Sequence, residues 1–128
     1  MTTLTSRSES ALKGVHPDLV RVVRRAYQSL TGELSFIVTE GLRTKARQQQ
    51  LYDQGASQTL NSRHLTGHAV DLAATVQGKV RWDWPLYHRL ADAMKDAAVA
   101  EGVSIVWGGD WETFKDGPHF ELNRRIYK

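Results

Sequence analysis

The chain contains no cysteine. Disulfides, thiolate metal sites and cysteine nucleophiles are therefore excluded, and any metal site must be built from His, Asp or Glu. Long apolar runs are missing too. No stretch approaches the roughly 18 residues that a membrane span needs. The first ten residues, Met1 to Ser10, lack the apolar core of a secretory signal. The expectation is a protein made in the cytoplasm without a signal peptide, with no stable membrane anchoring, which reaches a substrate beyond the membrane only when something else lets it through. Neither sign of charge dominates: 17 Lys and Arg against 14 Asp and Glu leave a net +3. That surplus favours an anionic partner such as nucleic acid, a membrane surface or a polyanionic cell wall, and is too small to choose among them. Repeats, low-complexity tracts and long linkers are absent. What remains is 128 residues, 41% hydrophobic and 24% charged, which suits a single folded domain with a core of its own.

Residues 1–13 read as a polar lead-in to that domain. A helix opens at His16-Pro17-Asp18-Leu19, where a proline costs nothing because its missing N–H has no helical partner. Leu19, Val22, Val23, Ala26, Tyr27 and Leu30 recur at helical spacing, and Gly32 is the expected stop. Ser35 to Thr39 reads as a strand. Thr44 is placed to cap a helix running to about Gln54, closed by Gly55. Ala56 to Arg63 is polar loop, Ala69 to Ala73 a strand, and Gly78-Lys79 a turn. Trp84 to Ala100 is the longest helical pattern, stopped by Gly102. Ser104 to Trp107 and His119 to Leu122 are short strands around a turn-rich Gly108 to Pro118. Few, short strands and three helices predict an α+β fold: a small, mostly antiparallel sheet with helices packed against it.

Two segments carry chemistry. One is Ser62-Arg63-His64-Leu65-Thr66-Gly67-His68-Ala69-Val70-Asp71, the other Asp116-Gly117-Pro118-His119-Phe120-Glu121-Leu122. Strand alternation sends Val70 and Leu72 to one face and Asp71 to the other, and sends Phe120 and Leu122 opposite His119 and Glu121. If the strands pair, Asp71 and His119 converge. His64, seven residues before Asp71, would face away in an unbroken strand; Gly67 allows the bend or bulge that brings it round. Three N/O ligands with one position open is the pattern of a catalytic zinc site. Asp116, three residues before His119 across a Gly-Pro turn, stands where a general base belongs. The plainer readings are a chance pair of histidines satisfied by backbone groups, and a turn-forming aspartate.

The first segment matches the Ser-x-His-x-x-Gly-x-Ala-x-Asp signature of the zinc D-alanyl-D-alanine peptidase family, which shares its fold with the Hedgehog signalling domain. Asp116-x-x-His119 resembles that family's second signature. Further features resemble the small phage-type endolysins that cut between L-alanine and D-glutamate: His16-Pro-Asp-Leu, Gly41-Leu-Arg43-Thr before a Gln-rich helix, Gln77-Gly-Lys79 with Trp82, and Trp107-Gly-Gly-Asp110-Trp111. The resemblance spans residues 14–122. It implies one catalytic peptidase domain over 1–128, Zn2+ held by His64, Asp71 and His119, and Asp116 as catalytic base. It also implies that Arg43 and Ser62 bind substrate. The activity it implies is hydrolysis of the L-alanyl-D-glutamate bond of peptidoglycan by a phage or prophage endolysin, which acts on the wall after release through the membrane. Peptidoglycan is then the partner, with no nucleic acid, and the chain a monomer. Two alternatives are a D-alanyl-D-alanine carboxypeptidase or dipeptidase of the same family, and a non-catalytic zinc-binding phage structural module.

Other residues have simpler expected roles. His68 would close the open metal position if it were a ligand, so it is left out. His16 and His88 read as cap or surface residues. Arg43 could instead pair with Glu40. Glu121 is placed to hydrogen-bond a ligand histidine. Asp110 and Trp111 are expected to buttress the sheet, and Trp82, Trp84 and Trp107 to be core or cleft wall.

Overall fold

The computed structural model describes residues 3–128. Four helices, α1 (Ser6–Ala11), α2 (Pro17–Ser29), α3 (Lys45–Asp53) and α4 (Trp84–Glu101), alternate with five strands, β1 (Leu34–Glu40), β2 (Ala69–Val76), β3 (Lys79–Arg81), β4 (Ile105–Trp107) and β5 (His119–Leu122). The strands form one sheet in the order β1-β2-β5-β4, with β3 paired to the end of β2. Every pairing is antiparallel. The α+β architecture expected from the sequence is present.

Local chemistry accounts for the helices. The His16 ring accepts a hydrogen bond from the Asp18 N–H at 3.0 Å and caps α2, with Pro17 in its first position. Thr44 caps α3 through the Arg47 N–H. α4 ends on Gly102 in the left-handed conformation. From α2, Leu19, Val22, Val23 and Ala26 meet Leu90, Met94 and Ala97 of α4, and both rows lie on the sheet face formed by Phe36, Val38, Val70, Leu72, Phe120 and Leu122. Burying each Leu or Phe there contributes roughly 1.5–3 kcal/mol. The opposite face of β2 and β5 is left for Asp71, His119 and Glu121.

The structure departs from the sequence reading in several places. The segment 1–13, read as a polar lead-in, holds α1, while residues 1 and 2 lie outside the described residues. α1 does structural work: Ser8 is fully buried and its hydroxyl accepts from the Val38 N–H at 2.9 Å. That bond satisfies a donor on the edge strand β1, which sequence polarity alone could not reveal. α2 ends at Ser29 rather than at Gly32. Strand β3 was not expected; the chain turns at Gln77-Gly78 and returns to pair with β2. Trp107 is core, whereas Trp82 and Trp84 are 63% and 46% exposed.

Candidate metal centre and active cleft

Strand register builds half of the site. Asp71 of β2 stands directly opposite His119 of β5. Their backbone neighbours Val70, Leu72 and Phe120 are anchored in the core, so the alternation of each strand forces the two polar side chains onto the same free face.

His64 arrives by a different device from a strand bulge. Residues Arg63–Thr66 form one 3-10 turn. The Ser62 hydroxyl opens it by accepting from the His64 N–H at 3.2 Å. Gly67 closes it at φ 75°, and a Cβ there would sit 2.3 Å from the Gly14 carbonyl oxygen. Only glycine meets both conditions. The chain reverses through this turn, and the His64 ring reaches the carboxylate of Asp71. His64 Nε2 lies 3.2 Å from Asp71 Oδ1, and His119 Nδ1 lies 3.3 Å from the same oxygen. The donor atoms of His64, Asp71 and His119 all fall within 4.8 Å of one another.

The remaining ring nitrogens are also occupied. His64 Nδ1 is 2.7 Å from the Gly41 carbonyl oxygen, and that oxygen can only accept. The proton therefore sits on Nδ1 and the Nε2 lone pair faces the site. His119 Nε2 is 2.9 Å from Glu121 Oε1. An N–H donated to that carboxylate leaves Nδ1 free to ligate. Glu121 is in turn held by Arg124 at 2.9 Å. Glu121 therefore orients the His119 ring through Nε2, and loss of the Nδ1 proton would turn a lone pair toward Asp71.

Electrostatics follow from this packing. Burial alone would lower the His119 pKa, but hydrogen bonds to Asp71 and Glu121 outweigh it and hold the metal-free imidazole up at about 9. Burial would raise Asp71; hydrogen bonds from His119 and His64 win, and its carboxyl lies well below the usual range. Two imidazoles around one ionised carboxylate fit a divalent metal, which replaces the proton shared within the group. The donor set is borderline in softness and matches zinc, with manganese, cobalt and nickel also compatible.

Asp116 sits beside this triad on a loop pinned to Gly108, the residue just after β4. Its N–H donates to the Gly108 carbonyl at 3.1 Å, and its own carbonyl accepts from the His119 N–H at 3.2 Å. Gly108 is obligatory for the approach, since a Cβ would lie 2.4 Å from the Asp116 carbonyl oxygen. Burial, and then the charge of Asp71, push the Asp116 carboxyl above the ordinary aspartate value. The ring of Trp111 stands 5.0 Å from that of His119 and lines the cleft, so it does not serve as the sheet buttress expected. Asp110 is exposed and pairs with Lys95.

The triad opens into a cleft of about 720 Å³ between α3 with its following loop and the loop carrying Asp116. Arg43 and Ser62 both line it. The Arg43 side chain is only 9% exposed; it bonds to Glu40 and to Gln48, and lies 3.6 Å from Asp71 Oδ2. The β1 register shifts between Val38 and Glu40, which leaves Glu40 paired with Asp71 and lining the cleft. His68 is outside the site, bonded to Thr66 and beside His16. Sequence reasoning missed Gln48, which is 1% exposed. Three consecutive glutamines at 48–50 give no sign of which one faces inward.

The model of the phage L-alanyl-D-glutamate peptidase family matches residues 1–127, and so includes every residue of the triad and Asp116. The chain belongs to this family. It is 32% identical over 124 residues to the L-alanyl-D-glutamate peptidase of Escherichia phage T5, covering 94% of this chain and 88% of that one. Against the L-alanyl-D-glutamate peptidase of Listeria phage A118 it is 38% identical over 94 residues, which is 73% of this chain and 32% of that enzyme. The chain therefore matches about a third of the length of the Listeria phage enzyme. The crystal structure of the Serratia marcescens L-Ala D-Glu endopeptidase ChiX resembles it with a TM-score of 0.89 at 52% identity, over 97% of this chain and 92% of that one. In this chain His64, Asp71, His119 and Asp116 line one cleft, on the sheet face that the core helices leave uncovered. Among the described residues, no helix is long and apolar enough to cross a membrane.

Proposed function

We propose that this protein is a zinc-dependent endopeptidase that hydrolyses the L-alanyl-D-glutamate bond of peptidoglycan stem peptides, as a phage or prophage endolysin acting on the wall. The observation that carries the reading is the convergence of His64 Nε2 and His119 Nδ1 on one carboxylate oxygen of Asp71, with Asp116 in the same cleft, in a member of this peptidase family.

His64, Asp71 and His119 are the residues that would hold zinc. When bound, zinc supplies Lewis acidity for water and for the scissile carbonyl at neutral pH. The chain's own residues do the rest. Asp116 takes a proton from the attacking water as its oxygen bonds to the alanyl carbonyl carbon, and returns that proton to the glutamate nitrogen as the C–N bond breaks. Its raised carboxyl suits both halves of that transfer, since it neither holds the proton too weakly nor is it fixed by a salt bridge. Arg43, fixed by Glu40 and Gln48, offers positive charge at the cleft for a substrate carboxylate or a developing oxyanion. Ser62 contributes from the lip of the cleft, and its cap also holds the His64 turn in place.

Digestion of isolated peptidoglycan by the zinc-loaded protein, followed by mass spectrometry of the fragments, tests this. New N-terminal D-glutamate with L-alanine left on the sugar-linked stem is the expected product. Loss of terminal D-alanine alone would assign the chain to carboxypeptidase chemistry, and full activity after exhaustive chelation would remove the metal from the mechanism.

A further inference from the structure

Gln48 is a buried polar side chain that enters the hydrolysis just described only as a partner of Arg43. Its orientation is fixed by its partners. Arg43 Nη1 can only donate, and it points at Gln48 Oε1 at 2.7 Å. The Thr59 carbonyl can only accept, and it receives Gln48 Nε2 at 2.5 Å; the same nitrogen lies 2.8 Å from the Ser57 hydroxyl. Oxygen therefore faces the arginine and nitrogen faces the loop after α3. Gly55, Ala56, Ser57, Gln58 and Thr59 of that loop line the cleft. At the other end of the chain of contacts, Arg43 reaches Asp71 Oδ2 at 3.6 Å.

We propose that Gln48 is a positioning residue that clamps the cleft-lining loop 55–59 to Arg43, so that the wall of the substrate groove and the Asp71 carboxylate are held as one unit. The inference deepens the peptidase reading and rests on it for the identity of the substrate. No other residue type does the same work. The site needs an acceptor toward a cation and two donors toward the loop, separated by one planar amide. A glutamate keeps the first and loses the second. A methionine of similar length loses both, and leaves the buried Arg43 Nη1 without the acceptor it has in Gln48.

The experiment compares the zinc-loaded parent with Gln48→Glu and Gln48→Met by amide hydrogen exchange and by steady-state kinetics on a peptidoglycan stem peptide. In Gln48→Glu the Arg43 contact survives and the loop is released. Exchange at the amides of Ala56, Ser57 and Thr59 is expected to speed up about tenfold or more, with KM raised about tenfold and kcat within about threefold of the parent. In Gln48→Met kcat falls as well, because Arg43 loses an acceptor. Restored KM in Gln48→Asn is not expected, since the shorter amide cannot span both partners. Unchanged exchange and unchanged KM in Gln48→Glu overturn the proposal. So does a variant whose melting temperature drops while its kinetics below the transition match the parent, because that is a merely structural glutamine. Should both variants fail to fold, Ser57→Ala removes one partner at the cleft rim, and an unmoved KM with unmoved exchange overturns the clamp there too. Failure of the peptidase reading looks different: the parent itself cleaves no stem peptide, and the loop exchange rates alone then decide the clamp.

Discussion

Zinc binding to the metal-free protein is expected to release about one proton at neutral pH, and that proton comes from His119. The imidazole is held at about 9 by Asp71 and Glu121. At pH 7 it is therefore about 99% protonated, and removing that proton costs about 3 kcal/mol, at 1.36 kcal/mol per pH unit. Zinc needs the Nδ1 lone pair, so the apparent dissociation constant should fall about tenfold for each pH unit between pH 6.5 and 8.5. Titration calorimetry in buffers of different ionisation enthalpy counts the released protons directly. A Glu121→Gln variant loses one of the two anionic partners and should show a weaker dependence. A flat dissociation constant across that range, with no net proton release, would refute the reasoning. The same group governs the stability of the metal-free fold. Its pKa is raised above the unfolded value, so its contribution is complete below about pH 6.5 and is lost as pH rises through about 9. Asp71 behaves oppositely: its carboxyl is depressed, so its contribution is present above pH 3.8 and lost as pH falls further. The two describe one set of hydrogen bonds and do not add. Metal-free protein should accordingly be most stable between about pH 4 and pH 6.5, and zinc-loaded protein should not lose stability toward pH 9.

Three substitutions test the rest of the site. Asp116→Asn should retain stoichiometric zinc by metal analysis while kcat falls about 10²–10⁴-fold, the range for loss of a general base; near-parental wall lysis would remove Asp116 from the mechanism. Ser62→Ala removes the cap from the His64 turn and should cost about 1 kcal/mol in denaturant unfolding, with weaker zinc retention against a chelator. Gly108→Ala drives a methyl against the Asp116 carbonyl at 2.4 Å; kinetics should show a kcat loss of about tenfold or more with zinc still bound, and parental kcat would mean the loop yields freely.

Much of this protein was legible in order along the chain. Caps, periodicities and turn residues act within a few positions, which is why α2, α3, α4 and the strand cores were found where His16, Thr44, Gly55 and Gly102 mark them. The His64, Asp71 and His119 cluster was legible for a related reason. Alternation alone put Asp71 and His119 on the faces opposite Leu72 and Phe120, and the spaced signature named His64. Helix α1 escaped because its decisive contact, Ser8 to the Val38 N–H, joins residues thirty apart, and a serine in a polar stretch carries no sign that it will be buried.

What the sequence by itself determined is which side chains are chemically able to ligate a metal or carry a proton, and which side of each strand they take, since both follow from residue type and a period of two. Only the tertiary structure decided which atoms do the work. The β2–β5 register selected the pair Asp71 and His119. The capped 3-10 turn, rather than a bulge, aimed His64 Nε2. Gly41 chose the His64 tautomer, Glu121 oriented the His119 ring, and the packing of α3 singled out Gln48 from three adjacent glutamines. Each of these depends on groups far apart in the chain meeting at distances of about 3 Å, the range over which a hydrogen bond or ligand bond forms, and such meetings are written only in three dimensions.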